Sequence, residues 1–345
     1  MKLDFSVGLG RNESVHEIGE YARVAEDSGF KQLTLIDMPF VGRDVHVMMT
    51  LSAQSTRTIL IGHGVTTPIT FHPMSIANAT AAINELSGGR AFVGLGAGGP
   101  FEAVLKRPAP VKEVREVVQF LRKFMAGKEA EYRGVKAHSE WIRDPTPIYL
   151  AAEGPRMLQL AGEIADGVIS IGTNPEWVRW KMRQVEKGAL RAGRDPSEVE
   201  FWVRTMIYVA DSKEEARREV SPYPLAYGHL HSFLERDSPE SHELRRGLER
   251  AYPGMAEDLI SDSKRVASAY EPYGVERLDA PWAKYVTATL IDYFHLTGRP
   301  DDINERISIL GEMGVKNIST VMFTILDKKG MMRTISEEIM PHFQG

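Results

Sequence analysis

Apolar and polar positions along the chain follow two alternating rhythms. Short apolar runs recur at Leu3–Gly8, Gln32–Ile36, Thr58–Ile61, Ala91–Leu95, Pro147–Ala151, Gly167–Ile171, Val199–Val209 and Lys316–Phe323, and each reads as a buried strand. Between them, apolar residues return every three or four positions. Val15, Ile18, Ala22 and Ala25 share one helical face; so do Ile76, Ala79, Ile83 and Leu86, and then Val114, Val117, Leu121 and Met125. The punctuation agrees with this reading. Ser14 and Glu17 have the spacing of a capping box, Gly29 stands at a left-handed helix stop, Pro73 and Pro110 open helices, and Gly88-Gly89 closes one. Asn174-Pro175-Glu176 caps a helix that runs to Gly193, Asp211–Glu215 places acids in a first turn, and Val45–Ala53 and Met331–Phe343 are further helices. Lys128–Arg143 is a polar excursion that fits a small hairpin.

The rhythm stops after residue 220. The stretch 221–297 holds six prolines and many Tyr, His and Arg and shows no clear strand, and 221–296 reads as a helical insertion after the seventh strand. Pro300 restarts the pattern, with Ile303, Ile307 and Leu310 on a helix closed by Gly314. Eight strands alternating with helices predict an α/β fold, a (β/α)8 TIM barrel forming one domain over 1–345; a doubly wound open sheet is the alternative. A barrel gathers its ligand-binding groups at the carboxyl ends of its strands. Asp37, Gly64, Gly96–Gly99, Ala152–Gly154 and Gly172 all fall there.

Composition narrows the chemistry. The chain has 345 residues, 43% hydrophobic and 26% charged, with a formal net charge of −5 and the two signs interspersed. That balance suits a large globular core and offers no basic stripe for nucleic acid and no polybasic segment for a membrane. The chain contains no cysteine, which excludes disulfides, thiolate catalysis and Cys-ligated metals. His229-Leu230-His231 has no evident third ligand, so no metal is expected. With no long apolar span or leader pattern, the expectation is a soluble cytoplasmic protein acting on a small molecule.

Two blocks carry a resemblance to a known family. One is Gly62-His63-Gly64-Val65-Thr66 with His72-Pro73 and Glu85-Leu86-Ser87-Gly88-Gly89-Arg90. The other is Pro147-Ile148-Tyr149-Leu150-Ala151-Ala152-Glu153-Gly154-Pro155 with Leu160–Val168. The chain resembles the bacterial luciferase-like superfamily of flavin and deazaflavin oxidoreductases. Within it, the chain is most similar to the branch that uses the 5-deazaflavin coenzyme F420 and includes methylenetetrahydromethanopterin reductase. The resemblance implies a barrel, coenzyme F420 (FMN being the alternative), and a homodimer or higher homo-oligomer. It also implies a bulge with a non-proline cis peptide at Gly64–Val65 beneath the ring. It puts the phosphate and tail at Gly96, Ala97, Gly98 and Gly99 and at Ala151, Ala152, Glu153, Gly154 and Pro155. Backbone N–H groups near a helix start favour an anion there without a dedicated cation. The chain also departs from the family's patterns. Asp37-Met38 stands where the sugar-phosphate dehydrogenases have Asp-His, Glu102 is offset from their acid after the fourth strand, and Ser6 replaces a glutamate of the methanopterin reductases.

Each candidate has a plainer reading beside the functional one. Asp37 is a cofactor contact or proton relay, or else a loop cap. His63 and His72 are site histidines or satisfied structural ones, with His63 the catalytic candidate beside Asp37. Glu153 is a cofactor-side acid or a surface acid, and Gly172 a mouth glycine. The aromatic residues of 221–296 line a substrate lid or pack the insertion. Three functions follow: an F420-dependent oxidoreductase, an FMN-dependent monooxygenase using reduced flavin and oxygen, or a flavin-binding protein without catalysis.

Overall fold

The computed structural model describes residues 2–98, 108–223, 230–270 and 279–344. Twelve strands appear among them: β1 (Asp4–Leu9), β2 (Gln32–Leu35), β3 (Leu60–His63), β4 (Ala91–Leu95), β5 (Ala130–Tyr132), β6 (Val135–Ala137), β7 (Ile148–Ala151), β8 (Gly167–Ile171), β9 (Glu200–Thr205), β10 (Ile207–Val209), β11 (Leu296–Gly298) and β12 (Asn317–Val321). Eight of them close a barrel in the order β1-β12-β9-β8-β7-β4-β3-β2, every pairing parallel. Pairing of β1 with β12, from Asp4↔Asn317 to Gly8↔Val321, closes the ring and rules out the open doubly wound sheet. The barrel strands are buried along nearly their whole length, as expected where helices cover one face and a filled interior the other.

The helices that wrap the strands are α1 (Ile18–Asp27), α2 (Val45–Ser55), α3 (Pro73–Ser87), α4 (Val111–Met125), α5 (Pro155–Ile164) and α6 (Pro175–Arg191), with α12 (Pro300–Glu312) and α13 (Lys328–Glu338) after the insertion. Between β9 and β12 come α7 (Lys213–Val220), α8 (Leu230–Leu234), α9 (Pro239–Ala251), α10 (Met255–Ala269) and α11 (Ala288–Phe294), so the described part of the insertion is helical as expected. The helix signals hold in detail. Asn174 Oδ1 accepts from the N–H groups of Glu176 and Trp177, Gly29 has φ +81°, and Gly88 has φ +69°. Only half of the Ser14–Glu17 box forms. Glu17 accepts from the Ser14 N–H, but the Ser14 hydroxyl donates back to Glu17 and caps nothing, and the helix begins at Ile18. The polar excursion is the hairpin β5–β6.

Two boundaries differ from the apolar pattern. The third strand lies at Leu60–His63, shifted toward the mouth. The run Val199–Val209 is two strands. At Thr205-Met206 the chain leaves the barrel, the Thr205 hydroxyl donating to Phe294 O at 2.9 Å and the Ile207 N–H to Thr320 Oγ1 at 3.0 Å. β10 then pairs with β11, whose first two residues fall in the stretch read as strand-free. Strands of three residues are too short to show alternation.

Inward-facing side chains plug the barrel below its mouth. Phe92, Tyr149, Ile169 and Trp202 pack together, with the Tyr149 and Trp202 ring centroids 4.3 Å apart. The inward glycines make room for these rings: a Cβ on Gly62 would lie 2.3 Å from the Phe92 ring, and one on Gly167 2.7 Å from Tyr149. Across the interior, the Ser6 hydroxyl donates to Asn317 at 2.9 Å, and Asn317 donates to Gln32 at 2.7 Å. Above this layer the Gly64–Val65 peptide bond is cis, as the resemblance implied. The chain rejoins β4 beyond it, the Thr66 N–H donating to Gly94 O and the Gly96 N–H to Thr66 O.

Arg90, from the Glu85–Arg90 block, anchors the outer layer instead of the mouth. Its guanidinium donates to Ala53 O, Thr56 O, Thr56 Oγ1, Ile59 O and Ser87 O, tying the end of α2 and the start of β3 to the end of α3. Replacing Arg90 by Met leaves those buried carbonyls unpaired. Arg90→Met is expected to lower the unfolding free energy in urea by about 2–4 kcal/mol. A loss below about 0.5 kcal/mol would show the network to be dispensable.

Candidate active site

A cavity of about 400 Å3 opens at the carboxyl ends of the barrel strands, within the usual range for small-molecule sites. Its wall takes Asp37 and Met38 from the end of β2, Gly64–Thr67 from the bulge after β3, Gly96–Gly98 after β4 and Ala151–Gly154 after β7. β8 and β9 add Ile169, Ile171 and Arg204, while Tyr223, Leu230, Phe233 and Arg236 come from the insertion.

Asp37 is buried, and its Oδ2 accepts from the hydroxyls of Thr66 at 2.7 Å and Thr70 at 2.9 Å. Burial raises its pKa above the ordinary carboxylate value, and the two hydroxyl donors only partly oppose that. Glu153 is held differently. It accepts from the Ile171 N–H at 2.8 Å and the Ser170 hydroxyl at 3.1 Å, and it pairs with the fully buried Lys181 ammonium. Lys181 also donates to Ile171 O at 2.7 Å and lies 3.4 Å over the Trp177 ring, whose edge lines the cavity. Glu153 is therefore neither a free acid nor a surface one, but a strut that ties the Ala152–Gly154 turn to α6. Arg204 lies across the floor, donating to Gly64 O at 2.8 Å and Thr34 Oγ1 at 2.9 Å.

Of the expected site residues, Asp37, Gly64, Val65, Gly96, Ala97, Gly98, Ala151, Ala152, Glu153 and Gly154 come together in this wall. Gly99 lies outside the described residues, as do His229 and Glu102. His63 does not reach the cavity. As the last residue of β3 it points outward, packing edge-on against His46 at 5.2 Å, and burial lowers its pKa to about 3. It is a neutral buried ring, which removes it from the catalytic candidates. His72 caps α3, its Nδ1 accepting from the Met74 N–H at 3.2 Å. Pro155 sits behind Gly154 as the first residue of α5, outside the wall. Gly172, at φ +92°, packs against Trp177 and Phe294, also outside the wall. The N–H groups of Gly96 and Ala152, expected to be free, are already bound to Thr66 O and Ile169 O. Among the described residues no cluster could hold a metal ion, and no helix is long and apolar enough to cross a membrane.

Tyr223 comes from the stretch whose aromatic residues were expected to line a lid, whereas Arg204, Lys181 and the two threonines at Asp37 were missed by the pattern. Arg204 left a signal: it is a charge at an inward position of a strand that otherwise reads Phe201-Trp202-Val203. Lys181 and the two threonines left no comparable mark, because their partners Glu153 and Asp37 lie in distant segments.

The family model for luciferase-like monooxygenases matches residues 2–317. The chain belongs to that family. Among its luciferase-like relatives, a 5,10-methylenetetrahydromethanopterin reductase of Archaeoglobus fulgidus is 31% identical over 98% of this chain and 99% of its own length. An F420-dependent hydroxymycolic acid dehydrogenase of Mycobacterium tuberculosis is 30% identical over 57% of this chain and 60% of its own. Among solved structures, the coenzyme F420 dependent tetrahydromethanopterin reductase of Methanopyrus kandleri superposes with a TM-score of 0.78 at 25% identity, covering 99% of this chain and all of that one. The luciferase-like match embraces every barrel strand except the last four residues of β12.

The Asp37 environment predicts a pH effect on stability. Because burial raises its folded pKa, the folded protein holds this proton more tightly than the unfolded chain. The carboxylate thus costs stability above the folded pKa, and the cost disappears as pH falls below the ordinary value. Asp37→Asn keeps an oxygen for the two threonines and is expected to unfold at a higher temperature than wild type at pH 7, with the gap closing toward acid pH. Calorimetry at both pH values checks this; a gap that widens on acidification would overturn it.

Proposed function

We propose that this luciferase-like chain is a coenzyme F420-dependent oxidoreductase that moves hydride between the deazaflavin and an organic substrate at the barrel mouth. The observation that carries the reading is the cavity itself, in which ten residues assigned to a deazaflavin site from sequence meet in one wall. The residues fit the cofactor. Val65, Ile36 and Ile169 give an apolar bed for a tricyclic ring, and Ala97, Gly98 and the Ala152–Gly154 turn line the space for a phosphate-bearing tail. A Cβ built on Gly154 meets nothing within 4 Å, so that turn faces open space at the uncapped start of α5. The deazaflavin, when bound, supplies or accepts the hydride.

What the chain itself contributes is position and a proton. Asp37 lies in the wall with its pKa raised by burial, which suits a carboxylic acid that hands a proton to the substrate as hydride arrives. End-to-end similarity to reductases of 5,10-methylenetetrahydromethanopterin supports a methylene-bridged tetrahydropterin as the substrate class. There, hydride adds to the bridging carbon, one carbon–nitrogen bond breaks, and the departing nitrogen takes the proton. Ser6, where those reductases carry a glutamate, is bonded to Asn317 in the barrel plug, and of the two carboxylates described in the wall Glu153 is paired with Lys181, so Asp37 is the acid of this reading.

Titration of the purified protein with oxidised F420 and with FMN is expected to quench F420 fluorescence and to show tighter binding of F420. Preference for FMN would turn the assignment toward the monooxygenases. Gly154→Leu, which fills the open space at α5, is expected to abolish F420 binding without changing the melting temperature; unchanged affinity would defeat the tail site. Asp37→Asn is expected to lower turnover about a hundredfold while leaving F420 affinity unchanged.

A further inference from the structure

Arg204 leaves β9 one layer above the aromatic plug and spans the inside of the barrel to β2 and β3. Both of its described partners are neutral: the Gly64 carbonyl and the Thr34 hydroxyl. Among the described residues no carboxylate pairs with it, and its Nε, sealed from solvent, has no partner. The titratable group that faces it is the Tyr223 phenol, which burial pushes up to about 12 and so keeps uncharged. A guanidinium offers five N–H groups, and two are spent here. Burying such a cation among neutral groups costs free energy that only a nearby negative charge offsets. The other carboxylates of the wall are committed, Asp37 to two threonines and Glu153 to Lys181. With no carboxylate among the described residues to supply it, the counter-charge is left to what the cavity binds.

We infer that Arg204 is the charge partner of the bound deazaflavin ring, stabilising the negative charge the ring holds after it takes up hydride. This rests on the F420 reading above. Hydride uptake brings two electrons and one proton, so the ring becomes one charge more negative than its oxidised form. A fixed cation at the floor favours that form and raises the reduction potential of the bound cofactor. By linkage, the reduced cofactor binds more tightly than the oxidised one by the same factor. Because Arg204 also holds the Gly64 carbonyl, it sits on the same floor as Val65, and one side chain both shapes the bed and charges it.

The test is anaerobic titration of wild type, Arg204→Gln and Arg204→Lys with oxidised F420 and with borohydride-reduced F420, alongside the potential of the bound cofactor and the melting temperature of each protein. Wild type is expected to prefer the reduced form. Arg204→Gln is expected to lose that preference by about tenfold or more, and Arg204→Lys to keep most of it. A purely structural role for Arg204 would weaken both forms equally, and that result would overturn the inference, as would Arg204→Lys behaving like Arg204→Gln. Should Arg204→Gln fail to fold, the wild type decides: a bound potential no higher than that of free F420 overturns the inference, and a higher one, retained in Arg204→Lys, supports it. Failure of wild type to bind F420 in either form overturns the functional reading and this inference together. Binding without preference for the reduced form overturns this inference alone.

Discussion

A single guanidinium crossing the interior sets the height of the cavity floor. Arg204 starts on β9 and ends on the Gly64 carbonyl and the Thr34 hydroxyl, so three strands on opposite sides of the barrel share one side chain. The crossing is open to it because the facing positions are small. A Cβ on Gly64 would come within 2.6 Å of Thr34 and 3.0 Å of the Arg204 guanidinium. The glycine just after β3 and the arginine in β9 thus depend on each other, although 140 residues separate them.

The same exchange of bulk between strands explains why the cavity exists at only one end. Lower in the barrel, Phe92, Tyr149 and Trp202 occupy the space that Gly62 and Gly167 vacate, and Ser6, Asn317 and Gln32 bond among themselves. Every polar group in that layer that bonds another inside the barrel has no need of a ligand. Toward the mouth the strands end, the inward positions become Gly64, Gly96 and Ala151, and the large side chains lining the space include Arg204, Trp177, Phe323 and those of the insertion. A packed plug below and small residues above leave a bed for a flat ring.

Two carboxylates in one wall meet different fates because of what surrounds them. Glu153 receives a buried ammonium, a main-chain N–H and a hydroxyl, which hold it in place. Asp37 receives two neutral hydroxyls and no cation partner among the described residues, so burial dominates and the carboxyl is drawn toward its protonated form. Lys181 brings Trp177 into the same unit through its place over the indole, so α6 positions both the Ala152–Gly154 turn and an aromatic wall of the cavity. The raised pKa of Asp37 and the fixed position of Glu153 thus come from different surroundings within one wall.

Much of this could be read from the chain before any coordinates. The apolar runs, the left-handed glycines and the proline-led helices depend on interactions within a few residues, so Gly29, Gly88, Asn174 and Pro155 declared the elements they serve. Alternation of strand and helix then narrowed the fold to a barrel or a doubly wound sheet, since parallel strands joined by helices bury both faces only by closing or by being wound on two sides, and the pairing of β1 with β12 decided between them. The mouth glycines and Asp37 followed from their place at strand ends. What lay beyond reach was direction and partnership. His63 and Gly64 are neighbours, yet one ring turns outward to His46 while the other's carbonyl faces Arg204. Lys181 and Glu153 are 28 residues apart, and nothing local marks them as a pair. A strand's period tells that successive side chains alternate, but which face is the cavity, and which distant cation or hydroxyl meets a given carboxylate, is decided only when the ring closes and brings those segments within bonding distance.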